Sequence, residues 1–354
     1  MRKKTREVRI QNIAVGADHA IAVQSMTKTD TADVKSTVAQ IAQLTEGGCD
    51  IIRCAVPNIK AAEAIGEIKK AIRLPLVADI HFDHRLAIAA LEYGADKVRI
   101  NPGNIGGFEK AAEVLSKAKT KGCAVRIGVN SGSLSKDLLT KYGTATAEAL
   151  VEDALRYVTF AEEKKFYDLV ISIKSSDVQT TYAANKLFSA QCDYPLHIGV
   201  TEAGTYEDGI IKSAAGIGAL LLDGVGDTLR VSLSDDPIYE VQAGRRILRL
   251  LGIEKAGVEV ISCPTCGRCK ADVINYAKEV REKTKHMKVH AKLAVMGCAV
   301  NGPGEAKEAD LGLAFGSDNA LLFARGKMIQ YVKTEDAVET LLQHLNAWID
   351  KNEQ

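Results

Sequence analysis

Strand-like and helix-like segments alternate along the first two thirds of this 354-residue chain, and that alternation constrains its fold more than any other feature. Runs with strand character stand at AIAVQSM (20–26), DIIRCAV (50–56), PLVADIHF (75–82), KVRINP (97–102), AVRIGVN (124–130), DLVISIKS (168–175), PLHIGVTEAG (195–204) and TLRVSL (228–233). Between them VKSTVAQIAQLTEGG, IKAAEAIGEIKKAI, FEKAAEVLSKAK, EALVEDALRYVTFAEE and IYEVQAGRRILRLL repeat apolar residues near the helical period. Strands separated by amphipathic helices pair in parallel, and eight such units predict a closed (β/α)8 TIM barrel. An open doubly wound sheet is the alternative. It would carry a glycine-rich dinucleotide turn after its first strand, and none is present. Ahead of the barrel, VRIQNIAVGADHAIAV reads as a hairpin turned at Gly16-Ala17-Asp18 that covers the barrel floor.

Near Gly257 the pattern changes. VEVISC, AKLAVMGC, ADLGLAFG and ALLFARGKMIQYV read as short strands, with helices at ADVINYAKEVREK and EDAVETLLQHLNAWI. The expected organisation is a barrel over residues 1–254 and a smaller α+β domain over 258–354, joined by a short link around Leu251 to Gly257. The second domain holds four of the eight cysteines, in CPTCGRC (263–269) and in GCAVNGPGE. A C-x2-C-x2-C run with a remote cysteine is the spacing of an iron–sulfur site, and four thiolates equally suit a structural zinc. Gly and Pro punctuate both segments as in ligand loops, which argues against inert buried thiols. Cys49, Cys54, Cys123 and Cys192 lie in apolar strand or helix contexts and read as core residues.

Composition narrows the class. A net charge of +1 argues against a footprint for nucleic acid or anionic membrane. The basic start MRKKTREVRI is followed by no apolar stretch of signal-peptide length, and no run reaches the length of a membrane span. Eight cysteines without a secretory signal predict a reducing cytoplasm, with thiols used for metal rather than for disulfides.

The barrel strands carry a second constellation. They end in polar or charged residues: Arg53, Asp79 and His81, Arg99 and Asn101, Arg126 and Asn130, Lys174, Glu202, then Arg230 and Ser232. Within a strand these share parity, so they project to one side, at the barrel face where such enzymes do their chemistry. Five cations (Arg53, Arg99, Arg126, Lys174 and Arg230) meet two evident carboxylates there, Asp79 and Glu202. A strongly anionic ligand resolves that imbalance, and a diphosphate suits both the Arg forks and the Lys point charge. Glu202 is the acid/base candidate. His81 and His197 read either as catalytic groups or as satisfied structural histidines. The NPGN turn, Asn101 to Asn104, reads either as a helix cap or as a phosphate loop.

On VQSMTKTDT, PLVADIHFD, RINPGN, RIGVN, IKSSD, LHIGVTEAG, GVGDTLRVSL, CPTCGR and GCAVNGPGE, in order along nearly the whole chain, the sequence resembles the 4-hydroxy-3-methylbut-2-en-1-yl diphosphate synthase (flavodoxin) family. It is similar to the two-domain bacterial form, because the gap between the fifth and sixth strands holds only helix and loop. The resemblance implies a two-electron reduction of 2-C-methyl-D-erythritol 2,4-cyclodiphosphate, with ring opening and loss of water, in isoprenoid biosynthesis. It implies a [4Fe-4S] cluster on Cys263, Cys266, Cys298 and Glu305. It implies substrate binding by Arg53, Arg99, Arg126, Asn130, Lys174, Arg230 and Ser232, with Glu202 as proton donor or relay. Reduced flavodoxin or ferredoxin is the implied electron donor. A homodimer is implied too, the cluster domain of one copy covering the barrel of the other.

One residue divides the two readings. Spacing alone nominates Cys269 as a ligand, whereas the family pattern uses Glu305 and not position 269. The family reading is preferred because an iron held by carboxylate can release that ligand to a substrate oxygen, while an all-thiolate cluster only passes electrons. Two other classes stay open at this point: a zinc-stapled barrel enzyme, and a non-catalytic iron–sulfur carrier. The carrier would have no use for five barrel-mouth cations, and the zinc scaffold none for Glu305.

Overall fold

The structure is a computed structural model that describes residues 2–298 and 302–352. It divides into two compact units, Met1–Ile247 and Leu248–Gln354.

In the first unit eight parallel strands form one sheet. They are β3 (Ala22–Met26), β4 (Ile51–Ala55), β5 (Leu76–Asp79), β6 (Lys97–Ile100), β7 (Ala124–Asn130), β8 (Leu169–Lys174), β9 (His197–Ile198) and β10 (Thr228–Leu229). β10 pairs with both β3 and β9, and a bridge from Ile171 to Leu196 joins the remaining edge, so the sheet closes into the expected barrel. Helices α1 (Val34–Glu46), α2 (Ile59–Ala71), α3 (His84–Glu92), α4 (Gly107–Lys121), α5 (Lys136–Tyr142), α6 (Ala147–Glu163), α7 (Val178–Gln191) and α8 (Tyr206–Leu222) return the chain from each strand to the next, and α9 (Pro237–Leu250) follows the last. Several start on the Asx caps that βα loops favour: Asp33, Asn58, Asp83 and Asp177 each accept a backbone N–H of their helix's first turn.

Strands β1 (Val8–Ile10) and β2 (Ile13–Val15) form the expected hairpin, but it turns at Gln11-Asn12. The glycine at 16 does not make that turn. Val8, Ile10 and Val15 all need to face the same way, and they pack against Ala22, Ile51, Val77, Ala124 and Val170 to plug the barrel floor. That requirement sets the register, and Gln11 takes the left-handed conformation, φ 55°, to satisfy it.

The second unit is a five-stranded sheet, β11 (Val258–Ser262), β12 (Ala291–Met296), β13 (Leu311–Phe315), β14 (Asn319–Ala324) and β15 (Lys327–Lys333). The first three run parallel, β14 pairs antiparallel with β13, and β15 pairs antiparallel with β14. The single apolar run ALLFARGKMIQYV is therefore a hairpin, turned at Arg325 and Gly326, both at positive φ. Helices α10 (Val273–Thr284), α11 (Gly302–Glu305) and α12 (Ala337–Asn352) complete the unit, whose core includes Leu293, Val295, Leu313, Phe315 and Leu341. No helix among the described residues is long and apolar enough to cross a membrane.

Candidate active site

Register brings the barrel cations together. Asp79, Arg99 and Arg126 are partners across β5, β6 and β7, and Asn130 is the partner of Lys174 across β7 and β8. Gly128 makes room in the barrel. A Cβ there would lie 2.8 Å from Arg99 Nε, and one at Gly199 would lie 2.8 Å from Lys174 Nζ. Asp79 is the hub: Arg99 Nη1 reaches its Oδ1 at 3.3 Å, His81 Nε2 its Oδ2 at 3.2 Å, and Arg53 Nε stands 3.9 Å away. Burial opposes ionisation of Asp79, but Arg53, the His81 hydrogen bond, Arg99 and Arg126 together hold its carboxyl far below the usual range. The Asn130 amide, in the orientation that satisfies both ends, accepts from Arg99 Nη2 at 3.2 Å.

The remaining cations are poorly compensated. Arg126 is 1% exposed, and its Nε and Nη1 have no hydrogen-bond partner among the described residues. Burial first, then Arg53 and Arg99, depress its pKa. Lys174 is depressed well below the lysine range by burial and by Arg126, Arg53, Arg230 and Arg99. Burial lowers Arg53 to about 10, with Asp79 opposing and Arg230 and Arg99 adding to the fall. Lys174 thus feels each of the other four predicted cations. Arg230 differs in having a dedicated partner: its Nε and Nη2 donate to the two oxygens of Glu240, each at 3.1 Å.

Other predicted residues are placed differently. Ser232 is half-buried just beyond β10. Glu202 is exposed, beyond β9, and adopts φ 50°, uncommon for a residue with a side chain. His197 is buried with Nδ1 2.7 Å from Thr228 Oγ1, and burial followed by Arg126 and Lys174 drives its pKa well down, so it stands neutral. Asn101 holds its own turn, accepting from Gly103 N at 3.1 Å, and α4 is capped by Gly106 instead. The NPGN segment is thus not the helix cap.

In the second unit the cysteine segments follow two parallel neighbours, β11 and β12, and so emerge at the same sheet edge. Cys263, Cys266, Cys269, Cys298 and Glu305, with Met296 and Gly297, line a cavity of about 160 Å³. Backbone shapes it. Thr265 is left-handed at φ 52°, Cys269 N bonds Cys266 O at 2.9 Å, and Lys270 N bonds Gly297 O at 3.0 Å. Gly297 N donates to Cys263 Sγ at 3.2 Å, the contact a thiolate favours. A Cβ on Gly297 would come within 2.5 Å of Cys269 Sγ and 3.3 Å of Cys263 Sγ, so only glycine leaves the thiols their space. Cys269 Sγ is turned to Ala271 O at 3.1 Å. Among the described residues no three His, Cys, Asp or Glu side chains converge on one point; the donors stand around a space. A soft thiol set with one hard carboxylate, a glycine floor and an N–H···S bond fit an iron–sulfur group. Ala299, Val300 and Asn301 of the GCAVNGPGE motif lie outside the described residues.

Two family models match, one described as the GcpE TIM-barrel domain over residues 5–245 and the other as the GcpE protein C-terminal domain over 259–347. The chain belongs to the GcpE family. Relatives in that family include a 4-hydroxy-3-methylbut-2-en-1-yl diphosphate synthase (flavodoxin) from Caldanaerobacter subterraneus, 58% identical over 99% of this chain and 98% of the relative. Another of the same name, from Clostridium perfringens, is 56% identical over 97% of this chain and 98% of its own length. Among solved structures, dihydropteroate synthase from Stenotrophomonas maltophilia aligns at TM-score 0.51 and 15% identity, covering 70% of this chain and 97% of that one. That likeness bears on the barrel fold alone.

Within this GcpE-family barrel, reading the strand ends missed three polar groups. Among the described residues, Lys97 is fully buried with its Nζ unpartnered, as are both side-chain polar atoms of Gln24. Parity could have found both, since Lys97 stands two residues before Arg99, and Gln24 two before Met26, the register partner of Arg53. Glu240 lies on a helix outside the barrel, and no strand pattern points to it. Of the cysteines read as core, Cys49 and Cys54 are buried, and burial pushes their thiols to about 12 and about 11. Cys123 and Cys192 are half-buried.

Proposed function

We propose that this chain reduces 2-C-methyl-D-erythritol 2,4-cyclodiphosphate by two electrons, opening the ring and releasing water to give 4-hydroxy-3-methylbut-2-en-1-yl diphosphate in isoprenoid biosynthesis. The observation that carries this reading is the charge imbalance in the barrel. Against six cations, Arg53, Lys97, Arg99, Arg126, Lys174 and Arg230, stand Asp79 beside Arg53 and Arg99 and Glu240 beside Arg230. A surplus of buried cations is costly unless an anion completes the site, and paired phosphates do so with geometry that guanidinium forks match.

Arg53, Arg99, Arg126, Lys174 and Arg230 are proposed to hold the two phosphates, with Asn130 and Ser232 as neutral partners. Asp79 fixes Arg99 by a direct ion pair and steadies Arg53. As the C–O bond to phosphate breaks, the freed phosphate oxygen gains negative charge, and a preset cation ring stabilises that state more than the starting one. Glu202, exposed beyond β9, can exchange protons with solvent and gives one to the departing hydroxyl, which leaves as water. The change consumes two electrons and two protons, one proton leaving in the water and the other neutralising the phosphate oxygen.

Cys263, Cys266, Cys298 and Glu305 are proposed to hold a [4Fe-4S] cluster. When bound, such a cluster supplies electrons one at a time. Reduced flavodoxin or ferredoxin is the proposed donor, and the cytoplasm the proposed compartment, since ligand thiols must stay reduced. Cys269 is left out of the ligand set, in keeping with its turn toward Ala271 O. Iron and sulfide content with turnover, measured on two variants, tests the set. Cys269→Ser should keep about four irons and near-normal turnover. Glu305→Ala should keep most of the iron and lose turnover. Loss of iron from Cys269→Ser would favour four thiolates instead.

A further inference from the structure

Glu240 has no part in the sequence pattern that defines the barrel mouth, yet it is among the most completely satisfied carboxylates in the unit. It projects from α9 and is 1% exposed. Oε1 accepts from Arg230 Nη2 and from Leu233 N, each at 3.1 Å. Oε2 accepts from Arg230 Nε and from Ser25 Oγ, again at 3.1 Å each. Both oxygens thus carry two donors, which fits an ionised group.

The fork also fixes a plane. Arg99 divides its donors between Asp79 at 3.3 Å and Asn130 at 3.2 Å, and Arg53 Nε lies between Met26 Sδ at 3.1 Å and Asp79 at 3.9 Å, so neither is gripped by both oxygens of one carboxylate. Arg230 is held by two donors at once, so both its position and its tilt are set from behind. Nη1, the nitrogen not engaged by Glu240, has no hydrogen bond among the described residues and belongs to the edge left for a ligand. Through Ser25 and Leu233 the same carboxylate ties this arrangement to β3 and to the segment after β10.

We infer that Glu240 is a positioning residue for the diphosphate, orienting Arg230 so that its unengaged edge meets a phosphate oxygen. The inference rests on the function proposed above. Simple electrostatics gives the opposite sign. Removing a carboxylate from the neighbourhood of an anion site should tighten anion binding, whereas losing the orientation of Arg230 should weaken it.

The test is steady-state kinetics on reconstituted holoenzyme, with Glu240→Gln, Arg230→Met and the double variant. Glu240→Gln should raise KM for the cyclodiphosphate about tenfold, the loss expected of one well-formed charge-assisted contact, with kcat within about twofold. In the Arg230→Met background it should do nothing further, because there is no guanidinium left to orient. A KM that is unchanged or lowered overturns the inference while wild-type turnover leaves the proposed function standing. An equal added loss in the Arg230→Met background also overturns it, since a merely structural role acts whether or not Arg230 is present. Should Glu240→Gln be too unstable to assay, Glu240→Asp keeps the charge, shortens the reach and should show the same rise. Wild-type holoenzyme that binds no cyclodiphosphate would remove the function and the inference together.

Discussion

Lys97 shows how much a single side chain can be asked to tolerate. It enters the barrel beside Val77 and Ala124, its register partners, and among the described residues its ammonium group meets neither a carboxylate nor a hydrogen-bond acceptor. Burial, followed by Arg126 and Arg53, depresses its pKa well below the ordinary value. The folded chain therefore binds fewer protons at Lys97 than the unfolded chain does. Stability must rise as pH climbs from the folded pKa toward the unfolded one near 10.4. Lys97→Met removes that penalty and keeps most of the volume. In ligand-free protein at pH 7 it should raise stability by about 1–3 kcal/mol, a thermal midpoint higher by several degrees. The advantage should narrow as the scan is repeated toward pH 10. A variant less stable at both pH values would mean that Lys97 has a partner in solution. Asp79 works in the other direction: its depressed pKa contributes stability above the unfolded carboxylate value, and that contribution fades as pH falls toward the folded one.

At the scale of elements, legibility followed how local the cause was. The strands from β3 to β8 and the helices α1, α2, α4, α6 and α9 stood close to where apolar period put them, because that period is written in neighbouring residues. β9 and β10 were read as long strands and are two residues each. Gly199 and Arg230 end their pairing: backbone at 199 comes so near the Arg230 carbonyl that a Cβ would sit 2.3 Å from its oxygen. Close approach between two strand ends leaves no trace in either strand's period. The hairpin turn was misread for a like reason, since contacts with five barrel strands, rather than a glycine, decided its register. The candidate site divided in the same way. Strand-end parity found Arg53, Arg99, Arg126, Lys174 and Arg230, while Glu240 acts from α9, reachable only through the fold.

Across the whole molecule a net charge of +1 conceals strong segregation. Six cations gather in one barrel while carboxylates balance them elsewhere on the chain, so overall charge said little about the ligand. The resemblance noted in the sequence implies a homodimer, and we propose that the cluster domain of one copy covers the barrel of the other. Mixing a Glu202→Ala protein with a Cys298→Ser protein should then recover part of the activity through heterodimers, and no recovery despite demonstrated subunit exchange would count against a shared site. The central claim is that the cation-lined barrel and the thiol-lined cavity that this sequence encodes together perform a reductive ring opening. It is tested most directly by incubating anaerobically reconstituted protein with a low-potential reductant and 2-C-methyl-D-erythritol 2,4-cyclodiphosphate, following phosphorus by NMR. The account predicts that the cyclic resonances give way to those of an open allylic diphosphate, in protein holding about four irons and four sulfides. Fully loaded protein that leaves the cyclodiphosphate intact, with every tested donor, would contradict it.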